Sequence, residues 1–399
     1  MTQPEFGPDH EPLPEGGWSE SLTTLRDAIV VPPVESSFVQ EAGILHSDGA
    51  YCREGALWRK YRPITTQPPM PDAIGETLPG RWLWGGVLWA HFGHFLVESA
   101  SRIWALAELD EPVDGILFIP KRPRVGEEVR GYHREYMSLM QPDLPVRVTA
   151  QPMQVEELVV PGQGFGLGLI TAGTQKYRDA IHSRFARDVE PDGPEKIYIS
   201  RSKLGLAKGG MLGEERMEDY LRAEGYEIFY PEKHSLTVQL AHYKAARKVI
   251  AADGSALHLF AMVGRPDQPV AMILRRQSGV DNLLARNVSQ FCGSKPLVIG
   301  ALRTEWVPTN KRKSSRLSFG ELDHSVIGPA LQKYGFIQDG SHWTALSDED
   351  RKQALEDKGL GGNDRFVESP VFVQRRIRQI RQERRQRRAQ QAQSDSQKA

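Results

Sequence analysis

The chain has 399 residues, 39% apolar and 26% charged, the balance of a globular protein long enough for two cores rather than of a disordered or membrane-embedded chain. The formal net charge is zero, yet the last 29 residues (371–399) carry eight Arg and one Lys against Glu383 and Asp395, so the tail is +7 and everything before it −7. An acidic body argues against a nucleic-acid-binding core and against nucleic acid as a partner, because phosphate neutralisation needs a basic face on the folded part.

The start, MTQPEFGPDHEPLPEGG, is acidic and proline-rich and lacks the basic start and apolar run of a secretory signal. Residues 1–31 are expected to be a disordered leader. Cys52 and Cys292 lie far apart without metal-type spacing, which points to a reducing, cytoplasmic setting. Residues 82–97 are the most apolar stretch, but His91, His94 and several glycines interrupt it. A spanning helix needs about 20 apolar residues, so a buried segment is expected there.

From residue 32 to about 185, short strands alternate with helical pieces, forming an N-terminal lobe. GILFIP and VEELVVPG read as buried parallel strands, with a helix in EEVRGYHREYMSLM between them. A clearer alternation occupies residues 190–310. KIYISR, YEIFYP, KVIAAD and PVAMIL read as strands, and LGEERMEDYLRAEG, SLTVQLAHYKAA and SALHLFAMVG as helices. Gly225 is a natural helix stop. This alternation predicts a doubly wound parallel sheet, hence an α/β protein of two Rossmann-like lobes. A helical subregion at 315–370 follows, with Ser347 as a helix cap. In the basic tail Val373, Ile377 and Ile380 share helical spacing, but only Arg and Gln follow, so its second half is expected to be disordered. The arginines from Arg375 to Arg388 suit peripheral docking on an anionic membrane, with a solvated extension as the alternative.

Two segments of the second lobe suit phosphate. In VIAADGSALHLF a strand runs through Asp253, Gly254 and Ser255 into a helix whose first amides would meet an anion, unless Asp253 or Ser255 simply caps it. In YISRSK, Arg201 and Lys203 follow a buried strand, where a guanidinium could meet a diphosphate or merely face solvent. The glycine-rich PGQGFGLGL (161–169) lacks the dinucleotide fingerprint and reads as a flexible connection between lobes.

In AHFGHFLVESASRIWAL, His91, His94, Glu98 and Arg102 fall on one helical face. Three readings stand there: His94 or Glu98 as a general base, His91, His94 and Glu98 as metal ligands, or a structural Glu98–Arg102 pair.

Taken together, HFLVESASRI, YISRSK and the stretch from LRAEGYEIFY to GSALHLF resemble glycosyltransferase family 61. The resemblance matches His94, Glu98 and Arg102 to the family's histidine–glutamate–arginine motif. It also matches Ser200 and Arg201 to its strand-end Ser-Arg, and Glu214, Ser235, Gln239 and Gly254 to later motifs. The segment from Gly254 to His258 is similar to bacterial members. Departures are Gly213 where the family has Asn, and Asp253 where many members have His. The resemblance implies a GT-B-like fold, with His94, Glu98 and Arg102 catalytic on the first lobe. The donor nucleotide-sugar would lie on the second, against Ser200, Arg201, Lys203, Glu214, Asp253, Gly254, Ser255 and His258. It implies inverting transfer without metal or other cofactor, onto a glycan or lipid-linked acceptor. This fits surface polysaccharide or glycoconjugate synthesis by a cytoplasmic protein that could sit peripherally at the inner membrane face. The rivals are a metal-dependent hydrolase built on His91, His94 and Glu98, and a non-catalytic nucleotide-binding protein of the same fold.

Overall fold

The computed structural model describes residues 12–14, 16–170, 172–277, 280–362 and 365–396. Two sheets dominate an α/β architecture. The first has six strands in chain order: β1 (Leu22–Val31), β2 (Gly43–Leu45), β3 (Glu76–Leu88), β4 (Gly115–Pro120), β5 (Val146–Val148) and β6 (Met153–Pro161). Their spatial order is β5-β4-β3-β6-β1-β2. The four strands from β5 to β6 are parallel, and β1 and β2 extend the sheet antiparallel. The expected parallel strands are present, but the sheet is mixed.

The leader expectation is corrected in part. Residues 22–31 are strand β1, paired along β6 from Leu22 against Pro161 to Val30 against Met153. Ala28 and Val30 are fully buried; the apolar run AIVV outweighs the polar start of the strand. Residues 1–11 lie outside the described residues.

The second sheet holds β7 (Lys196–Ile199), β9 (Glu227–Phe229), β10 (Lys248–Ala252), β11 (Val270–Ile273) and β12 (Leu297–Ile299), all parallel, in the order β9-β7-β10-β11-β12. The second strand in sequence therefore sits outside the first, and the direction of winding reverses between β7 and β10. Loops leaving the carboxyl ends of two such strands diverge and leave a crevice, the usual ligand position of an open α/β sheet. A third, smaller sheet joins β8 (Gly210–Leu212), β13 (Leu302–Pro308), β14 (Phe319–Leu322) and β15 (Phe366–Glu368).

Alternate residues of each main sheet bury opposite faces. Ile116 and Phe118 of β4, with Ile197, Ile199, Val249 and Ala251 of β7 and β10, belong to one continuous cluster. Leu117 and Ile119 face a second cluster, and Tyr198 and Ile250 a third. The shared cluster also contains Phe95 of α1 (Phe92–Val97), Tyr136 of α2 (Gly131–Met140), Tyr177 of α3 (Gln175–Arg184), Tyr243 of α5 (Leu236–Ala245) and Phe260 of α6 (Ala256–Ala261). Helices thus lie between the sheets and one core joins them, with Tyr136 donating its hydroxyl hydrogen to Met262 Sδ at 3.2 Å.

Helix α4 (Glu214–Ala223) ends before Gly225, whose φ of 81° closes it. The Ser347 cap forms with Asp350 as a capping box on α9 (Asp348–Asp357). The tail corrects another expectation: α10 runs 27 residues, Pro370–Ser396. Arg, Gln and Ala are good helix formers, and the first turns are anchored by buried Phe372 and a bidentate Arg376–Glu368 pair.

Candidate active site

The carboxyl ends of β7 and β10 open into a cleft of about 340 Å³. Its walls bring together His91 and His94 from α1 and its N-terminal flank, Arg201 after β7, Gly254, Ser255 and His258 after β10, and Arg275 and Arg276 after β11. Lys208 and Arg316 complete the basic rim. Sequence positions more than 200 apart thus meet where the winding reverses.

Arg201 lies against Gly254, whose backbone does not adopt a left-handed conformation. The glycine instead leaves room for the guanidinium, because a Cβ there would stand 2.8 Å from Arg201 Nη1. Arg201 Nη2 donates to the Lys208 carbonyl at 3.0 Å, while its Nε is buried without a hydrogen-bond partner; Arg276 Nε likewise makes no hydrogen bond and stands 3.6 Å from Asp253. Buried guanidinium hydrogens left over in a cleft are what an anionic ligand would satisfy.

Glu214 holds Arg201 from beneath. Its Oε1 accepts from Arg201 N at 2.7 Å, Tyr198 Oη at 2.9 Å and Ser200 Oγ at 3.1 Å. Burial raises the Glu214 carboxyl to about 7. The single Ser200 hydroxyl hydrogen is shared with Glu218 Oε1, the nearer acceptor at 2.6 Å. Ser200 and Glu214 therefore act through Arg201 and do not line the cleft, a correction to their expected direct contact. Gly213 adopts φ 85° and ψ 10°, a left-handed conformation that Asn also tolerates, so its substitution for the family's Asn preserves the turn.

Asp253 is almost fully buried and pairs with Arg275 at 2.9 Å and Arg276 at 3.6 Å. It organises the arginines rather than facing ligand, another correction. Lys203 is exposed, sits over the Tyr230 ring at 5.9 Å and leaves the cleft to Lys208.

The expected four-residue helical face breaks at Glu98, where α1 ends and a 3-10 helix, Ser99–Ala107, begins. Arg102 rotates away from Glu98. It is buried and donates to the backbone carbonyls of Glu54, Ala56 and Pro161. Both the Glu98–Arg102 pair and a reacting role for Arg102 are thereby corrected.

Arg59 takes Arg102's place. Its Nε donates to Glu98 Oε1 at 2.6 Å and its Nη2 to Oε2 at 2.8 Å. His94 Nδ1 lies 3.2 Å from Glu98 Oε1 and 3.3 Å from Arg59 Nη2; with its Nδ1–H donated to the carboxylate, the Nε2 lone pair is left as the base. Burial pushes the Glu98 carboxyl up, but the bonds from His94 and Arg59 outweigh it and hold it below its ordinary value. The His91 imidazole is held down to about 4 by burial and by the charges of His94, Arg316 and Lys208. His258 is also held near 4, chiefly by burial; its Nδ1 is 3.0 Å from Asn287 Oδ1, so its Nε2 is an acceptor.

Arg59 comes from a hairpin pairing Trp58 with Pro63 and Arg59 with Arg62. Lys60 at the tip has φ 62°. Buried Gln163 clamps it, accepting from Trp58 N and donating to Trp58 O, both at 2.8 Å. The glycine-rich segment is thus a buried cradle for this hairpin, not a flexible connection.

Among the described residues, no three His, Cys, Asp or Glu side chains converge to hold a metal ion. Glu98, needed by the metal reading, spends both oxygens on Arg59. Arg275 and Arg276 went unremarked in the sequence although they follow a strand as Arg201 does; Arg59, Lys208 and Arg316 carry no local signal.

Residues 92–267 match the family model described as Glycosyltransferase 61. No curated protein matches the chain.

Proposed function

From the match of residues 92–267 to the Glycosyltransferase 61 family model, we propose that this cleft transfers a sugar from a nucleotide-sugar to a hydroxyl acceptor, with inversion and without metal. The general activity, glycosyl transfer, is what the family supports. The finer reading rests on one observation: a carboxylate-oriented histidine from the N-terminal half faces a cluster of arginines at the strand ends of the other half. His94 Nε2 takes the acceptor's proton as its oxygen bonds to the anomeric carbon. The bond to the diphosphate breaks on the opposite face, and Arg201, Arg275 and Arg276 receive the growing phosphate charge. One base and a cationic pocket opposite it are what single, in-line displacement requires. The parallel sheet with a winding reversal supports a GT-B-like donor half.

Donor sugar position follows from the order of these groups, diphosphate against Arg201 and anomeric carbon towards His94. The acceptor is a glycan or lipid-linked hydroxyl. A role in surface polysaccharide synthesis at the cytoplasmic membrane face is supported by the basic α10, and no helix among the described residues is long and apolar enough to cross a membrane.

A panel of nucleoside diphosphates and nucleotide-sugars, read by thermal shift and by donor hydrolysis with and without chelator, tests this reading. Stabilisation by a nucleoside diphosphate, abolished in Arg201→Ala, and turnover that survives chelator are expected. Nucleotide binding unaffected by Arg201→Ala removes the donor site from this cleft. Activity that collapses in chelator and returns with zinc or manganese restores the metal reading.

A further inference from the structure

Every charged side chain lining the cleft is basic: Arg201, Lys208, Arg275, Arg276 and Arg316. This occurs in a body that is net acidic outside its tail, so the cluster is not a sample of the general surface. The charges divide into two groups by their partners. Arg275 and Arg276 share Asp253, and together with Arg201, which is backed by the Glu214 carboxyl, they leave a net charge between one and two at the strand ends. A nucleotide-sugar brings one negative charge on each phosphate of its diphosphate, which this group largely balances.

Lys208 and Arg316 are additional. Among the described residues neither makes an ion pair or a side-chain hydrogen bond, although the backbone of each is fixed to the site. The Lys208 carbonyl accepts from Arg201 at 3.0 Å and the Arg316 carbonyl from Arg275 at 3.3 Å. The loop after β7 and the loop before β14 are thus tied to the donor arginines and hold two free cations at the rim. Both line the same cleft as His91 and His94, whose rings are 5.0 Å apart, so the rim cations are shared between the diphosphate and the place where the transferred sugar meets the acceptor.

We infer that the reaction centre is built for an acidic sugar: Lys208 and Arg316 receive a carboxylate or phosphate substituent carried by the transferred sugar or by the acceptor sugar beside it. This inference rests on the proposed donor site. It adds the charge of the substrate, which the family resemblance does not carry; Arg316 lies outside the matched segment. Two unpaired cations lining one cleft from separate loops favour an anionic group over a hydroxyl, because charge-assisted hydrogen bonds are roughly twice as strong as neutral ones.

The test compares matched ligands on the full chain and on the double variant Lys208→Gln/Arg316→Gln. In the donor arm, calorimetry compares UDP-glucose with UDP-glucuronate and GDP-mannose with GDP-mannuronate. In the acceptor arm, ligand-observed NMR compares methyl glucoside with methyl glucuronide on protein saturated with nucleoside diphosphate. At least tenfold preference for the acidic member in one arm is expected, falling to about twofold or less in the double variant. The arm that shows it identifies which sugar carries the charge. Using the ratio within each pair cancels any general weakening of diphosphate binding in the variant. Equal affinities in both arms, or a preference that survives the double substitution, overturn the inference while leaving the donor site standing. Failure of any nucleoside diphosphate to bind overturns both.

Discussion

Arg201 lies across Gly254 so closely that a side-chain carbon on the glycine would come within 2.8 Å of the guanidinium Nη1. The glycine's own backbone is unstrained for an alanine, and the atom it would strike is the far end of a long side chain. Gly254→Ala should therefore fold normally and displace Arg201 alone. Nucleoside diphosphate affinity should fall by about 10- to 100-fold, the size of one or two charge-assisted contacts, with little change in melting temperature. Unchanged affinity in calorimetry would show that Arg201 does not hold the diphosphate in this pose.

The Arg59–Glu98–His94 relay yields a second expectation. His94→Ala should lower kcat by about 10²–10⁴-fold, the usual worth of a general base, and leave nucleotide affinity nearly intact. Arg59→Ala leaves Glu98 buried with a lone histidine partner, so the carboxylate becomes easier to protonate. The acid limb of the kcat profile should move to higher pH and kcat should fall, while Arg59→Lys recovers part of the rate. A purely structural Arg59 would lower stability without moving the pH limb.

Stability should be acid-sensitive for a definable reason. Burial holds His91, His133 and His258 down to about 4 and lowers His324 as well. A group with a depressed folded value stabilises above its unfolded value, about 6.5 for His, and loses that contribution as pH falls towards 4. Glu214 runs the other way. Raised to about 7 by burial, its contribution is full below about 4.5 and is lost as pH rises through 7. Four imidazoles outweigh one carboxyl, so melting temperature should fall between pH 6.5 and 4.5. Glu214→Gln removes the opposing group and should steepen that fall; a flat profile in both proteins would show that these imidazoles are not buried neutral.

The second sheet was legible because its strands are continuous apolar runs of the kind that parallel sheets bury on both faces, as in KVIAA and PVAMIL. The cleft's Arg201, Gly254, Ser255 and His94 were legible for the related reason that they stand at strand ends or on a polar break in an apolar helix, whereas His258 entered only through the family resemblance. Arg102 misled because helical spacing assumes an unbroken α-helix, and the turn at Glu98 tightens to 3-10. Arg59 and Arg316 were beyond reach, since only the tertiary pairing of a hairpin with Gln163, and of one loop with Arg275, brings them in.

Helix α10 offers the last expectation. It projects Arg378, Arg381, Arg384, Arg385, Arg387 and Arg388, and none of them makes an ion pair among the described residues. Ile377 and Ile380 are 43% and 44% exposed on the same helix. Its first turns belong to the folded body through Phe372 and Arg376, so cutting the chain at Ser369 would damage the packing as well as the charge. Replacing those six arginines by glutamine keeps the helix and removes only the charge. Each basic residue near an anionic leaflet contributes about 1 kcal/mol, and such attraction is screened by salt. The native chain should co-sediment with phosphatidylserine-containing vesicles at low ionic strength, release at high salt and ignore neutral vesicles, and the glutamine variant should stay in the supernatant throughout. Equal sedimentation of the two proteins would leave α10 as a solvated extension with no hold on the membrane.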